Sequence, residues 1–218
     1  MTFCLTTTII KPEIDIPINN AVILLHGYGG DGKDMSMLTL NWKRFLPNTI
    51  FLCPNGIEGC EINPLGYQWF DLTKDDPKYI LEQSKKAEKK LQQYIYEVKK
   101  KYNLKNSQIC LSGFSQGCMM SINLGLTNKE NFNCVVGFSG KIINQKDLVD
   151  RKDSSTKMLL IHGDLDTVVS PTFLLEAKDF LIRNGVEVET KMINNCEHHI
   201  SVEASSVALN YIKNNFKI

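Results

Sequence analysis

No stretch of this chain approaches the roughly 20 consecutive apolar residues that a membrane span requires. Met1 to Ile10 hold neither a basic leader nor a long apolar segment, no Gly follows Met1, and no prenylation box ends the chain at Phe216-Lys217-Ile218. Integral membrane segments and sequence-readable lipid anchors are therefore not expected, and a soluble, cytoplasmic protein is. Excess charge of one sign is missing too. With 25 basic against 24 acidic residues the net charge is +1, too little to gather phosphate backbones, so nucleic acid is not expected as a partner. The chain has no internal repeats, low-complexity tracts or Pro/Gly-rich linkers. Seven cysteines are present (Cys4, Cys53, Cys60, Cys110, Cys118, Cys134 and Cys196), odd in number and scattered, with Cys53, Cys110 and Cys134 in apolar runs. That usage fits buried thiols in a reducing compartment rather than a disulfide framework or a zinc site.

What is present is alternation. Short apolar or β-branched runs at Ala21 to Leu25, Thr49 to Cys53, Gln108 to Ser112, Asn133 to Phe138, Lys157 to Ile161 and Val186 to Ile193 are separated by longer helical patterns. Apolar residues in consecutive positions describe strands covered on both faces, so the fold class is α/β: a mostly parallel, doubly wound sheet flanked by helices. Thr6 to Ile10 adds an antiparallel edge strand. The longest helix is expected from Lys78 to Tyr102, where Ile80, Leu81, Ala87, Leu91, Tyr94, Ile95, Val98 and Tyr102 recur at steps of three and four. Its lysines alternate with Glu82, Glu88 and Glu97, which describes a solvated face and not a membrane patch. Further helices are expected at Asp34 to Phe45, Pro171 to Asn184 (stopped by Gly185) and Val202 to Asn215. A length of 218 residues with 43% hydrophobic content suits one domain, 1–218.

Within that frame, Gly113-Phe114-Ser115-Gln116-Gly117 follows the apolar run ending at Ser112 and precedes the apolar helix pattern Met119, Met120, Ile122, Leu124 and Leu126. Strand, sharp turn and helix, with glycines two positions either side of a serine, form the pattern of a nucleophile elbow. A serine hydroxyl needs a histidine to take its proton, and the histidine needs an acid to fix its tautomer. Of four histidines, only His198 and His199 follow both Ser115 and an acidic residue at a strand end, as the chain order of such hydrolases requires. The acid is expected in His162-Gly163-Asp164-Leu165-Asp166, where Asp164 and Asp166 both qualify. Oxyanion donors are expected from the backbone of Gln116 and from the turn His26-Gly27-Tyr28-Gly29-Gly30. That glycine cluster lacks the Gly-Lys-Ser/Thr ending of a phosphate loop and is followed by Asp31 and Asp34, which argues against nucleotide binding.

Several separate segments together give the chain a resemblance to the phospholipase/carboxylesterase family of α/β-hydrolases, which includes the acyl-protein thioesterases. They are Leu25 to Gly30, Cys53-Pro54-Asn55, Trp69-Phe70-Asp71, Gly113 to Gly117, His162 to Asp166 and Glu197-His198-His199-Ile200. Their order and separations are family-like over roughly Ala21 to Phe216. The resemblance implies that Asp166 is the triad acid, that His198 is the base because Ile200 falls at the aliphatic place, and that Tyr28 and Gln116 hold the oxyanion donors. It also implies a substrate-contacting flap or wall over Asn55 to Asp71, where Trp69 and Phe70 are candidate substrate-binding residues; the alternative is ordinary loop packing. An apolar groove there would favour octanoyl over acetyl esters.

Three positions depart from the family's pattern. Thr167 stands for a proline, Cys118 for a glycine and Glu197 for another glycine; a Glu197 carboxylate turned inward would raise the His198 pKa. The expected activity is that of a serine hydrolase acting on a small-molecule or lipid ester or acyl thioester through an acyl-enzyme on Ser115. The alternatives are a noncatalytic α/β-hydrolase scaffold used for binding and a peptidase on the same fold. No metal or organic cofactor is implied, and the resemblance permits a monomer or a weak homodimer.

Overall fold

The computed structural model describes residues 3–13 and 16–218; Met1 and Thr2 of the N-terminal segment, with Ile14 and Asp15, lie outside the described residues. Seven strands form one sheet: β1 (Thr7–Ile10), β2 (Asn20–Leu25), β3 (Thr49–Pro54), β6 (Ile109–Phe114), β7 (Cys134–Phe138), β8 (Met158–Gly163) and β9 (Val188–Ile193). Their order is β1-β3-β2-β6-β7-β8-β9. All neighbours are parallel except β1, which pairs antiparallel with β3 at the edge. The remaining two strands, β4 (Glu58–Cys60) and β5 (Asn63–Gln68), make a separate antiparallel hairpin. This α/β architecture, including the edge strand, is the expected one. The hairpin within 55–71 was not read as strands.

Why consecutive apolar residues make buried strands is visible in how they divide. On β2, Ala21, Ile23 and Leu25 join one core and Val22 and Leu24 the other; on β3, Ile50 and Leu52 separate in the same way from Phe51 and Cys53. Successive side chains on a strand point to opposite faces, so a fully apolar run feeds two cores at once. The first core takes α3 (Pro77–Tyr102), α4 (Gln116–Thr127), α5 (Gln145–Arg151) and α6 (Thr172–Arg183). The second takes α1 (Gly32–Ser36), α2 (Thr39–Trp42) and α7 (Val202–Phe216). The long helix starts where Asp76 Oδ1 accepts from Lys78 N–H, with Pro77 at the first helical position, and ends at Asn103 in the left-handed conformation. Six of the seven free cysteines are buried and Cys4 is half-buried.

One helix differs from expectation. The pattern over Asp34 to Phe45 is not continuous: α1 and α2 are separated, and a 3-10 turn at Lys43–Phe45 follows. The cause is local competition for carbonyls. Ser36 Oγ donates to Lys33 O and Thr39 Oγ1 to Ser36 O, both at 2.7 Å, while the N–H groups of Met37, Leu38 and Leu40 bond three residues back. A continuous amphipathic pattern is therefore folded as short tight turns. Among the described residues, no helix is long and apolar enough to cross a membrane.

After β2 the chain moves to one side of it to form β3, and later returns to form β6 on the other side. The loops leaving the C-terminal ends of β2 and β6 thus diverge, which opens a crevice at that point. His26 and Gly27 leave β2 there, and Ser115 leaves β6.

Candidate active site

Ser115 sits between β6 and α4 with φ 53° and ψ −115°, a conformation costing about 1–3 kcal/mol that surrounding structure must over-determine. It does so at both ends: Ser115 N–H donates to Phe138 O at 2.8 Å, and Ser115 O accepts from Met119 N–H at 3.1 Å. The flanking glycines are needed because the backbones nearly touch. A Cβ on Gly113 would strike the Gly117 carbonyl and approach Cys118 N to 2.7 Å; one on Gly117 would strike Leu25 O. Gly27 is close as well, since its Cβ would lie 3.3 Å from Ser115 Cβ. The elbow and the turn after β2 are thereby pressed together. Ser115 itself is 8% exposed.

Two distant segments meet the serine. His198 Nε2 lies 3.1 Å from Ser115 Oγ, and His198 Nδ1 lies 2.7 Å from Asp166 Oδ2. A carboxylate only accepts, so Nδ1–H donates to Asp166, and the free Nε2 lone pair accepts from the Ser115 hydroxyl. Asp166 is fixed in turn: its Oδ1 accepts from Val168 N–H (3.0 Å) and Val169 N–H (2.8 Å), while His162 Nε2 lies 3.3 Å from Oδ2. Burial works to raise the Asp166 pKa, but the bonds from His198, Val169 and Val168 outweigh it and hold the carboxyl below the usual range. Burial lowers the His162 pKa, and its Nε2–H donates to Val169 O at 2.8 Å. An imidazole oriented in this way can take a hydroxyl proton and return it to a leaving atom.

Asp164 and His199 stand apart from that chain. Asp164 is exposed and accepts from Cys196 N–H at 3.2 Å. His199 is exposed, with Nε2 3.9 Å from Cys196 Sγ. Glu197 is exposed too, so its side chain is not folded inward, and its carbonyl accepts from His199 N–H. Cys118, the other departure near the elbow, is buried against Gly137 and Gly140, with burial raising its pKa to about 12.

On the far side of Ser115, Gln116 opens α4, and the first N–H groups of a helix have no intrahelical acceptor. Tyr28 follows the Gly27 that contacts the elbow, and the turn continues through Gly29 at φ 76°. This turn is braced by the hairpin: Gly29 N–H donates to Tyr67 O and Tyr67 N–H to Gly30 O, each at 2.9 Å, and Asn63 Nδ2 donates to Gly29 O at 2.7 Å.

Trp69 and Phe70 do not face the crevice. They are 0% and 2% exposed, so the expected substrate wall cannot be made of their side chains. They fasten the hairpin instead. Trp69 Nε1–H donates to His26 O at 2.9 Å, Trp69 N–H to Gln116 Oε1 at 2.9 Å, and Gln116 Nε2–H to Phe70 O at 2.6 Å. The exposed apolar side chains of the segment are Ile62 and Leu65. His26 completes the joint: Nδ1–H donates to Gly27 O at 2.7 Å and Nε2 accepts from Gly56 N–H at 2.8 Å, with burial lowering its pKa. The supporting roles of His26, His162 and the Gln116 amide are not apparent from sequence. The one signal was that His26 and His162 each lie between a buried strand and a glycine.

With this geometry in place, comparison with known proteins is informative. A family model described as Phospholipase/Carboxylesterase matches residues 7–216. The chain is 24% identical to esterase YpfH of Escherichia coli, covering 91% of this chain and 84% of the relative. It is also 24% identical to acyl-protein thioesterase 1 of Yarrowia lipolytica, covering 94% and 98%. Among solved structures, esterase PE8 superposes with a TM-score of 0.91 at 31% identity, covering 96% of this chain and 98% of that one.

Proposed function

The chain belongs to the phospholipase/carboxylesterase family, and from that premise we propose that it is a serine hydrolase, a single domain that cleaves carboxylic esters or thioesters. The observation that carries the reading is the unbroken run of hydrogen bonds from Ser115 Oγ through His198 to Asp166, at 3.1 and 2.7 Å. Ser115 Oγ attacks the acyl carbonyl as His198 Nε2 takes its proton. The oxygen that becomes negative is stabilised by the N–H groups of Gln116, at the start of α4, and of Tyr28, backbone donors of the kind that act without reorganisation. When the tetrahedral intermediate collapses, the bond from carbonyl carbon to leaving oxygen or sulfur breaks, and His198 returns the proton to that atom. Water, deprotonated by the same imidazole, then releases the acid from Ser115. Asp166 stays ionised throughout and holds the imidazole tautomer.

The relatives' names point to acyl thioesters or simple esters as substrates. A p-nitrophenyl ester assay and a fluorophosphonate probe test the chemistry without that knowledge. Ser115→Ala should lower hydrolysis by on the order of 10⁴-fold or more and abolish labelling while leaving the melting temperature close to that of the parent. Full activity in that variant, or no labelling of the parent at Ser115, rejects the reading.

A further inference from the structure

A groove of about 800 Å³ begins at Phe114 and His198 and runs between the α1–α2 segment and α7, from Val202 as far as Lys213. Phe114 and His198 form its inner end, with ring centroids 4.7 Å apart. Its walls carry apolar side chains that a monomer would not ordinarily leave to water: Met37 is 63% and Val202 84% exposed, and Phe45 is exposed at the outer end. Two cations converge there. The Arg44 guanidinium carbon lies 4.5 Å and Lys213 Nζ 5.4 Å from the Phe45 ring centroid. Among the described residues neither forms an ion pair. The one carboxylate lining the groove, Asp34, is directed to its own helix start, where Oδ2 accepts from Asp31 N–H at 3.2 Å.

The mechanism fixes which part of a substrate enters this groove. The carbonyl oxygen points to Gln116 and Tyr28, and the leaving atom must lie against His198 Nε2, because that nitrogen delivers its proton. A groove that opens from His198 therefore receives the leaving group and not the acyl chain. We propose that this groove binds the leaving-group half of the substrate, and that its preferred occupant is an alcohol or thiol with an apolar body and an anionic terminus seated between Arg44 and Lys213. The inference rests on the hydrolase reading above and adds to it the chemical class of the group released.

The test holds the acyl group constant and varies the other half. Butyrate esters of 4-hydroxyphenyl-alkanoic acids of graded chain length are compared with their neutral methylamides, whose phenols have similar leaving ability. The parent should show a higher kcat/KM for the anionic member at one length, by about tenfold if each of the two cations contributes about threefold. Arg44→Gln/Lys213→Gln should bring that ratio to about one, Arg44→Glu/Lys213→Glu should invert it, and added salt should erode it. The neutral amide is the reference for that ratio in each variant, so any general effect of the substitutions on the groove cancels. Equal rates on both series at every length, or a preference that survives the double substitution, overturns the inference while neutral-ester cleavage and Ser115 labelling leave the hydrolase reading standing. No cleavage of either series and no labelling removes both.

Discussion

Two structures contact the turn at Gly27 to Gly30, and they are held differently. The elbow is secured by close backbone contact: Gly113 against Gly117, Gly117 against Leu25 O, and Ser115 pinned to Phe138. The β4–β5 hairpin shares backbone contact with the turn, through Tyr67 bonded to Gly29 and Gly30 and Gly66 against Gly29 O, but its flank is tied by side chains as well: the Gln116 amide to Trp69 and Phe70, and the Trp69 indole to His26 O. Backbone contact tolerates no added atom, whereas a side-chain tie can be cut singly. The elbow is therefore the fixed half of the site, and the hairpin is the half whose hold can be loosened one side-chain tie at a time.

The largest effect should separate the two neighbouring histidines on the fixed side. His198→Ala removes the one group among the described residues that is bonded to both Ser115 and Asp166 and should lower ester hydrolysis by on the order of 10⁴-fold or more. His199→Ala, whose ring approaches Cys196 Sγ and bonds no triad member among the described residues, should stay within about twofold in the same steady-state assay. A reversed result would move the base one residue along the chain.

Next in size is the contrast between glycines. Gly117→Ala drives a methyl into the Leu25 carbonyl at the end of β2 and the His26 carbonyl next to it, both fixed by the sheet, so about 3 kcal/mol should be lost. At Gly59, in the hairpin, an added Cβ meets nothing within 4 Å, and Gly59→Ala should change stability by no more than about 0.5 kcal/mol. Denaturant midpoints at constant slope measure both. Equal losses would show that the hairpin is as tightly built as the elbow.

The same contrast explains what the sequence discloses. The elbow, the parallel strands and the long helix are encoded by contiguous residues: glycines at fixed offsets around Ser115, apolar runs from Ile109 to Leu111, and a 3.6-residue period from Ile80 to Val98. The hairpin has a weak signal, because Asn63 to Gln68 carries Pro64 and Gly66 and its first three residues are exposed. Trp69 and Phe70 read as a substrate wall because aromatic residues beside a site suit that role equally well. What buries them is the bond set to His26 and Gln116, residues 43 to 47 positions away. The break between α1 and α2 was hidden for another reason: Ser36 and Thr39 keep the apolar period while their hydroxyls take the backbone carbonyls. Choosing Asp166 over Asp164 likewise needs the loop's own folding, since Asp166 turns inward only when Val168 and Val169 wrap their N–H groups around it.

The smallest of these effects is the one that tests whether the hairpin tunes the site. Trp69→Phe keeps most of the buried ring but deletes the indole N–H, leaving His26 O without that donor in a buried place, at a cost of about 1–2 kcal/mol. Because Tyr67, two residues earlier, pairs with Gly29 and Gly30, slack at Trp69 is passed to the turn that carries the Tyr28 N–H. The rate constant kcat should fall by about tenfold, less than the roughly 100-fold expected for deleting an oxyanion donor outright, and fluorophosphonate labelling should slow without being lost. An exposed hairpin residue such as Leu65, changed to Ser, should alter neither melting temperature nor labelling rate. If Trp69→Phe lowers stability but leaves kcat untouched, the hairpin is only a cover, and the geometry of the turn is set by the elbow alone.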